Sequence, residues 1–295
     1  MFSVPEYTDE SIIIDDDGYI KVVVLPSNGI VENKLIDMPN KEYHSHREYI
    51  SCSQIKDLLK NPYLFFNPPP HEDKYVFNIG SAIHSLILEP EKFDSEFAVA
   101  PKVDKRTAKG QKEWADFVAA NEDKTILTEE DFYNCIELQK SVLANPDVVK
   151  LLRNGVSEKS YFTTLEDGTK VKVRPDRLRD DNIIVDVKSC RDASPDAFKK
   201  DIAKYGYHIQ DAYYSDALNA KAFIFLAIEK EPPFMVGIYV LSPADKELGR
   251  TLYKKALKIS KQPEKYSKPL FIGGDGEVIQ TLTLPNYVHF QNEDI

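Results

Sequence analysis

The chain has 295 residues, 42% of them hydrophobic, which is enough for one large domain or two small ones with a sizeable core. Its net charge of −10 argues against nonspecific nucleic-acid binding through an overall basic surface. The charge is uneven, however: residues 102–112 contain five basic side chains against the single acid Asp104, whereas the first 17 residues contain six acids and no base. The negative net charge is compatible with nucleic-acid binding if the basic segment contacts the nucleic acid and some of the acids bind metal ions.

The composition favours a cytoplasmic protein. The N-terminus lacks the basic and apolar regions of a signal peptide, and no apolar run approaches the length of a membrane span. Cys52, Cys135 and Cys190 form an odd, widely spaced set without zinc-site spacing, which favours reduced thiols.

The first 45 residues are predicted to be an N-terminal appendage, and residues 46–295 one domain. Two apolar runs, 12–14 and 22–25, flank an Asp-Asp-Asp-Gly turn and predict a small hairpin of unknown role. Beyond it, Ser51 or Ser53 is expected to cap a helix that Asn61-Pro62 ends.

The remaining elements alternate between helices and strands. Apolar residues at helical spacing predict a helix near 78–90, with His84 one step off the apolar stripe, where a packing role is the simpler interpretation. Further helices are expected from about 111, over 128–144, from 146, and over 195–204, 207–218 and 243–260. Strands are expected over 158–165, 169–173, 183–188, 222–228 and 234–240, the last two apolar enough to be central. Asp167-Gly168 predicts a hairpin between the first two strands, and Gly206 is expected to separate the helices over 195–204 and 207–218. This order predicts one mixed α/β domain.

The most informative segment contains Asp176 and, ten residues later, Asp186-Val187-Lys188. Carboxylates are hard oxygen ligands that can hold Mg²⁺ beside phosphates, and an ammonium can orient or deprotonate water or offset negative charge. Residues 183–188 predict a buried strand on which Asp186 and Lys188 share one face. A hairpin with strand 170–174 would bring Asp176 beside Asp186. The alternative is a surface hairpin with solvated charges.

These residues carry a resemblance to a known family. His84, Glu158, Asp176 and Asp186-x-Lys188 occur in the order found in the PD-(D/E)XK nuclease superfamily, and the chain resembles the nuclease domain of exodeoxyribonuclease VIII, the RecE type. Supporting segments lie at 43–56, 80–90, 105–110 and 207–214, and the resemblance covers roughly residues 40–260. It implies an α/β PD-(D/E)XK nuclease core with a mixed central β-sheet flanked by helices.

The resemblance also implies roles for individual residues. The expected metal ligands are His84, Asp176, Asp186 and the main-chain carbonyl of Val187. The expected catalytic residues are Lys188, Glu158, Gln210 and Tyr214. The expected DNA-binding residues are Lys105, Arg106, Thr107 and Lys109. Glu158 would position the attacking water or help a second ion, and Gln210 and Tyr214 would steady the terminal nucleotide. The simpler alternatives are a solvated glutamate, a tyrosine-rich packing helix and a solvated lysine loop.

The implied activity is Mg²⁺-dependent 5′–3′ exonucleolytic digestion of linear double-stranded DNA, with Mn²⁺ as an alternative ion. The 3′ single-stranded tails would pass to a strand-annealing partner in prophage recombination. The resemblance further implies a homo-oligomeric ring around the DNA, expected to be a tetramer, and no membrane partner. The alternatives are a structure-specific endonuclease on the same core and a non-catalytic DNA-binding module.

Overall fold

A computed structural model describes residues 9–14, 20–25, 30, 32–68, 79–271 and 277–284. The helices are α1 (Asn40–Ser45), α2 (Cys52–Lys60), α3 (Pro62–Phe66), α4 (Ile79–Leu88), α5 (Phe93–Glu96), α6 (Ala108–Ala120), α7 (Glu129–Leu143), α8 (Pro146–Leu152), α9 (Pro195–Tyr205), α10 (Tyr207–Leu218) and α11 (Pro243–Ser260). The strands are β1 (Asp9–Ile14), β2 (Ile20–Leu25), β3 (Leu35–Ile36), β4 (Phe97–Val99), β5 (Thr125–Leu127), β6 (Gly155–Ser157), β7 (Ser160–Thr164), β8 (Lys170–Val173), β9 (Arg177–Arg179), β10 (Ile183–Cys190), β11 (Ala222–Glu229) and β12 (Val236–Tyr239).

The central sheet has the strand order β12-β11-β10-β9-β6 and is mixed. Its β10 and β11 pair in parallel, while β9 pairs antiparallel with both β10 and β6. Val185 and Val187 of β10 pack with residues of α4 and α7 on one face. Ile184 packs with residues of α2, α10 and α11 on the other face. Helices therefore cover both faces of a mixed sheet, which confirms the predicted fold class.

A second sheet has the order β2-β1-β3-β7-β8. The predicted hairpins are present: β1 pairs antiparallel with β2, and β7 pairs antiparallel with β8 across the turn at Gly168, whose φ is 78°. The Asp-Asp-Asp-Gly residues between β1 and β2 lie outside the described residues. Because β3 pairs with β7, residues 35–36 belong to the same sheet as the chain that follows Glu158. The division at residue 45 stays a prediction.

Local chemistry explains where helices begin and end. Ser51, not Ser53, caps α2, in a capping box with Gln54 that satisfies main-chain donors at the helix start. Gly206 separates α9 from α10 in the left-handed conformation, with φ 64°, which glycine adopts without a side-chain penalty. The break redirects the chain so that α10 packs against the sheet.

Two strand predictions are wrong. Strand 170–174 does not pair with β10: it forms β8, which pairs with β7, and the antiparallel partner of β10 is β9. Pro175 explains the change, because proline cannot donate to a sheet ladder and separates β8 from β9. The segment 234–240 is not central either. It forms β12 at the edge of the sheet, where Ile238 is 41% exposed.

The three cysteines are free and buried, and the structure shows no pairing between them. Among the described residues, no helix combines the length and apolar character needed to cross a bilayer.

Candidate active site

Asp176 lies next to the start of a strand whose two neighbours in the central sheet bring other acids beside it. It immediately precedes β9, whose Arg177 pairs with Val185 of β10 and with Ser157 of β6. Its Oδ2 accepts a hydrogen bond of 2.7 Å from the main-chain N–H of Val187. Its main-chain carbonyl accepts a 3.3 Å hydrogen bond from the N–H of Glu158. Asp176 thus adjoins β10 as expected, through a hairpin formed by β9.

Three side chains converge on one point. Donor atoms of His84, Glu158 and Asp176 all lie within 4.8 Å of one another, and His84 Nδ1 is 3.6 Å from Asp176 Oδ2. His84 projects from α4, whose stripe residues Ile83, Leu86 and Ile87 are buried. Packing of this apolar face fixes the position of α4, and His84 extends from the helix toward Glu158 and Asp176.

Glu158 has an unusual backbone conformation. It was expected to begin a strand, but it follows β6 with a φ of 53° and precedes β7. A positive φ is uncommon for a residue with a Cβ and clusters at functional positions. Here it turns the chain from the central sheet into the second sheet. Burial, and then the nearby Asp176, raises the pKa of Glu158 to about 8, although Arg174 opposes the shift.

Asp186 and Lys188 lie on the opposite face of β10 from Val185 and Val187, as the strand period predicts. Asp186 is fully buried; its Oδ1 accepts a 2.6 Å hydrogen bond from Gln210 Nε2, and its Oδ2 lies 2.5 Å from Lys188 Nζ. Burial raises the pKa of Asp186 to about 7, and Asp176 adds to the shift. Burial alone would lower the pKa of Lys188, but Asp186 and Asp176 raise it above its ordinary value.

Asp186 is outside the cluster formed by His84, Glu158 and Asp176; Gln210 donates to its Oδ1, and Lys188 Nζ lies 2.5 Å from its Oδ2. The side chain of Val187 packs into the core, and its amide is committed to Asp176. The proposed ligand roles of Asp186 and of the Val187 carbonyl stay predictions.

Gln210 and Tyr214 share helix α10 but have different surroundings. Gln210 contacts Asp186, as described above. Tyr214 lies in the core, with its ring in edge contact with Phe223, and burial raises its pKa well above the ordinary value. The structure therefore brings Gln210 to the acidic residues and places Tyr214 among apolar ones. A nucleotide contact by Tyr214 stays a prediction.

The basic loop before α6 is an exposed structure with its own internal contacts. Arg106 is held in bidentate fashion by Asp104, at 2.9 and 3.0 Å, and Thr107 caps α6 by accepting the N–H of Gly110. Lys105 Nζ lies 3.1 Å from the ring centroid of Trp114, and Lys109 pairs with Glu113 at 3.7 Å. None of these four residues lines the cleft beside His84, so their contact with DNA stays a prediction.

A cleft of about 430 Å³ opens beside the cluster. His84 and Glu158 line it, together with residues that the sequence did not single out as functional: Met38, Asn40, Lys92 and Arg174. Arg174 had a visible signal, since it immediately precedes Pro175-Asp176. Met38 and Asn40 had none, because they are distant in sequence and lie in the predicted appendage.

The donor set suits a divalent cation. Two carboxylates and an imidazole offer oxygen and nitrogen ligands to one point, as Mg²⁺ or Mn²⁺ sites require. Burial, and then the negative charge of Asp176, raises the pKa of Glu158, and a cation at this point would stabilise the ionised carboxylate. The residues present therefore fit a metal, without distinguishing Mg²⁺ from Mn²⁺.

Comparison with known proteins places the chain in a family. Residues 51–269 match the family described as a PDDEXK-like domain of unknown function (DUF3799). The chain belongs to this family. The match contains His84, Glu158, Asp176 and Asp186 and excludes the first 50 residues.

A solved structure shows a similar fold. One is a protein from Eubacterium rectale described as a "Putative exonuclease", which aligns with a TM-score of 0.56 and 16% identity over 88% of this chain and 99% of its own. The structure of SSO0001 aligns with a TM-score of only 0.29 and 14% identity, over 70% of this chain and 85% of its own, and carries no argument. No curated protein matches the chain. The PDDEXK-like family and this fold support a nuclease.

Proposed function

We propose that this PDDEXK-like protein is a metal-dependent exodeoxyribonuclease that digests linear double-stranded DNA from its ends. The observation that carries the proposal is the convergence of His84, Glu158 and Asp176 beside the buried Asp186–Lys188 pair. This arrangement combines ligands for a divalent cation with a fixed positive charge, which are the requirements for attack on a phosphodiester.

Each residue has a separate task in this proposal. A divalent cation, when bound, neutralises phosphate charge and lowers the pKa of the attacking water. His84 and Asp176 would hold the cation, and Glu158, whose donor atom lies within 4.8 Å of theirs, would position the attacking water. Lys188 stays protonated and offsets the charge that develops on the phosphate oxygens. Gln210 orients the carboxylate of Asp186.

The finer parts of the proposal rest on the resemblance to RecE-type nucleases. These finer parts are 5′–3′ polarity, 3′ single-stranded tails that an annealing partner binds, Mg²⁺ as the preferred ion, and a homo-oligomeric ring that encircles the DNA. The Eubacterium rectale protein, described as a "Putative exonuclease", supports an exonuclease over an endonuclease.

Closed circular DNA tests the requirement for an end. The protein is incubated with Mg²⁺ and an equimolar mixture of a covalently closed plasmid and its linearised form. The proposal predicts loss of the linear form alone. Nicking of the closed circle at a comparable rate would reassign the protein to the structure-specific endonucleases. Binding to both forms without cleavage would favour a binding module.

A further inference from the structure

One wall of the cleft comes from chain that precedes the matched family region. Met38, Pro39 and Asn40 line the cleft with His84 and Glu158, whereas the family match begins at residue 51. The segment 37–46 therefore contributes to the space in front of the acidic cluster.

This segment holds Arg174. The guanidinium donates from Nη2 to the carbonyl of Met38 at 2.6 Å, from Nη1 to Asn40 Oδ1 at 3.3 Å, and from Nε to Ser160 Oγ at 2.9 Å. It also lies over the Tyr43 ring, 4.7 Å from the centroid. These contacts use three of the five N–H groups of an arginine. Among the described residues, no further acceptor takes a hydrogen bond from it.

The segment is attached to the domain without Arg174. Lys172 Nζ donates to the carbonyls of Tyr43 and His46, at 2.6 and 2.8 Å. Ile50 exchanges main-chain hydrogen bonds with β8, and Lys159 pairs with Asp37 at 2.5 Å. Because other contacts already fix the segment, the need to anchor it does not by itself explain why the cleft wall contains the positively charged Arg174.

Arginine in this position has the chemistry of a phosphate contact. Arg174 is partly buried in the cleft wall, and a guanidinium withdrawn from water is costly unless an anion compensates its charge. Glu158 acts on it electrostatically, but among the described residues Arg174 forms no ion pair. A planar guanidinium with two remaining N–H groups matches phosphate oxygens. A substrate strand whose scissile phosphate reaches the cluster would bring such oxygens into the same cleft.

We propose that Arg174 binds a backbone phosphate of the DNA strand in this cleft, and that residues 37–46 position it there. The inference rests on the proposed nuclease function and names a substrate contact within it. Arg174 contacts substrate, whereas Asn40 acts through Arg174 and is a positioning residue.

The test compares Arg174→Ala and Arg174→Lys with Arg179→Ala. Arg179 is a matched control, because it is an arginine of the adjacent β9 that pairs with Asp181 and does not line the cleft. Steady-state cleavage of linear duplex DNA gives KM and kcat, and inhibition is measured with thymidine 5′-monophosphate and with thymidine. Arg174→Ala should raise KM and weaken inhibition by the monophosphate, each about ten- to hundredfold. Thymidine has no phosphate, so its inhibition of cleavage should be the same for all the variants.

The conservative variants separate binding from folding. Arg174→Lys keeps the charge and should recover part of the loss in KM, and Asn40→Ala should raise KM by about two- to fivefold. If Arg174→Ala has a lowered Tm, these two variants carry the test. KM and monophosphate inhibition within twofold of the unmodified protein in all three would overturn the proposal.

A binding measurement keeps this inference separable from the nuclease proposal. Fluorescence anisotropy of an end-labelled duplex is followed in Ca²⁺, with no cleavage required. Weaker binding by Arg174→Ala alone supports the phosphate contact even if the unmodified protein cleaves nothing. Equal binding by Arg174→Ala and Arg179→Ala contradicts the contact even if the protein is an active nuclease.

Discussion

Gln210 on α10 and Asp186 on β10 are joined by a 2.6 Å hydrogen bond from the side-chain amide to Oδ1. Lys188 lies against the other oxygen, so both oxygens of a fully buried carboxylate are held by neighbours. Helix α10 is itself tied to α11 through the ion pair of Asp211 and Lys246, at 2.9 Å. The orientation of Asp186 therefore depends on packing between helices beyond the site.

Gln210→Ala should reduce cleavage without unfolding the protein. Groups that orient a ligand typically contribute about 10- to 100-fold to metal affinity or activity, and we expect a loss in that range. The assay is the initial rate of linear duplex degradation against Mg²⁺ concentration. His208→Ala, on the same helix and outside the cleft, is the matched control. An unchanged rate and unchanged Mg²⁺ dependence in Gln210→Ala would show that the hydrogen bond has no functional role.

Divalent cations should stabilise the folded protein through the three-residue cluster. A ligand at one hundred times its Kd adds about 2.7 kcal/mol to the free energy of unfolding, so Tm should rise with Mg²⁺ or Mn²⁺. The rise should be lost in His84→Ala, Glu158→Gln and Asp176→Asn. Asp147→Asn removes an exposed acid in α8 and should keep it. An equal rise in Tm for all four variants would mean that the ions bind elsewhere.

The metal-free protein should become less stable as pH rises from about 5 to about 8. The pKa values of Asp186 and Glu158 are raised to about 7 and about 8, whereas in the unfolded chain both groups titrate near 4. Between these values the folded state binds more protons than the unfolded state, so its stability falls with rising pH. Urea unfolding in EDTA at several pH values measures the slope. Glu158→Gln should flatten it, and a slope identical to that of the unmodified protein would refute the assignment.

Much of the fold followed from local signals in the sequence. The hydrophobic run at Ile184, the Asp-Gly turn at 167–168 and the glycine at 206 each act over a few residues, and each predicted its element. The pairing of β9 with β10 did not follow, because β9 has only three residues and a proline separates it from β8. Partner choice between strands is set by long-range packing, which a local pattern does not contain.

The candidate site was predictable to a similar degree. Asp176 and Asp186 were found from their spacing, and His84 and Glu158 only through the family resemblance. Sequence patterns did not indicate the left-handed backbone of Glu158, since that conformation is imposed by the passage from β6 to β7. Nor did they indicate that Asn40 reaches Arg174 across 134 positions of sequence.

Gly110→Ala should disturb the basic loop and leave the metal cluster intact. A Cβ at this position would lie 2.1 Å from the carbonyl oxygen of Asp104, so the turn that holds Arg106 and Thr107 must shift. We expect weaker DNA binding, with unchanged stabilisation by Mg²⁺.

Anisotropy of an end-labelled duplex measures the affinity of Gly110→Ala. Ala115→Gly in the same helix is the control, because it weakens α6 by about 1 kcal/mol without touching the loop. Unaltered affinity in Gly110→Ala would exclude the loop from the DNA interface.

The central claim is metal-dependent cleavage of DNA ends at this site, and one assay tests it most directly. Linear duplex DNA, labelled at the 5′ or the 3′ end, is incubated with the unmodified protein in Mg²⁺, in EDTA, and with Asp186→Asn in Mg²⁺. The account predicts early release of 5′-labelled mononucleotides by the unmodified protein in Mg²⁺ and no release in the other two reactions. Full activity of folded Asp186→Asn, or no cleavage by the unmodified protein with either Mg²⁺ or Mn²⁺, would contradict it.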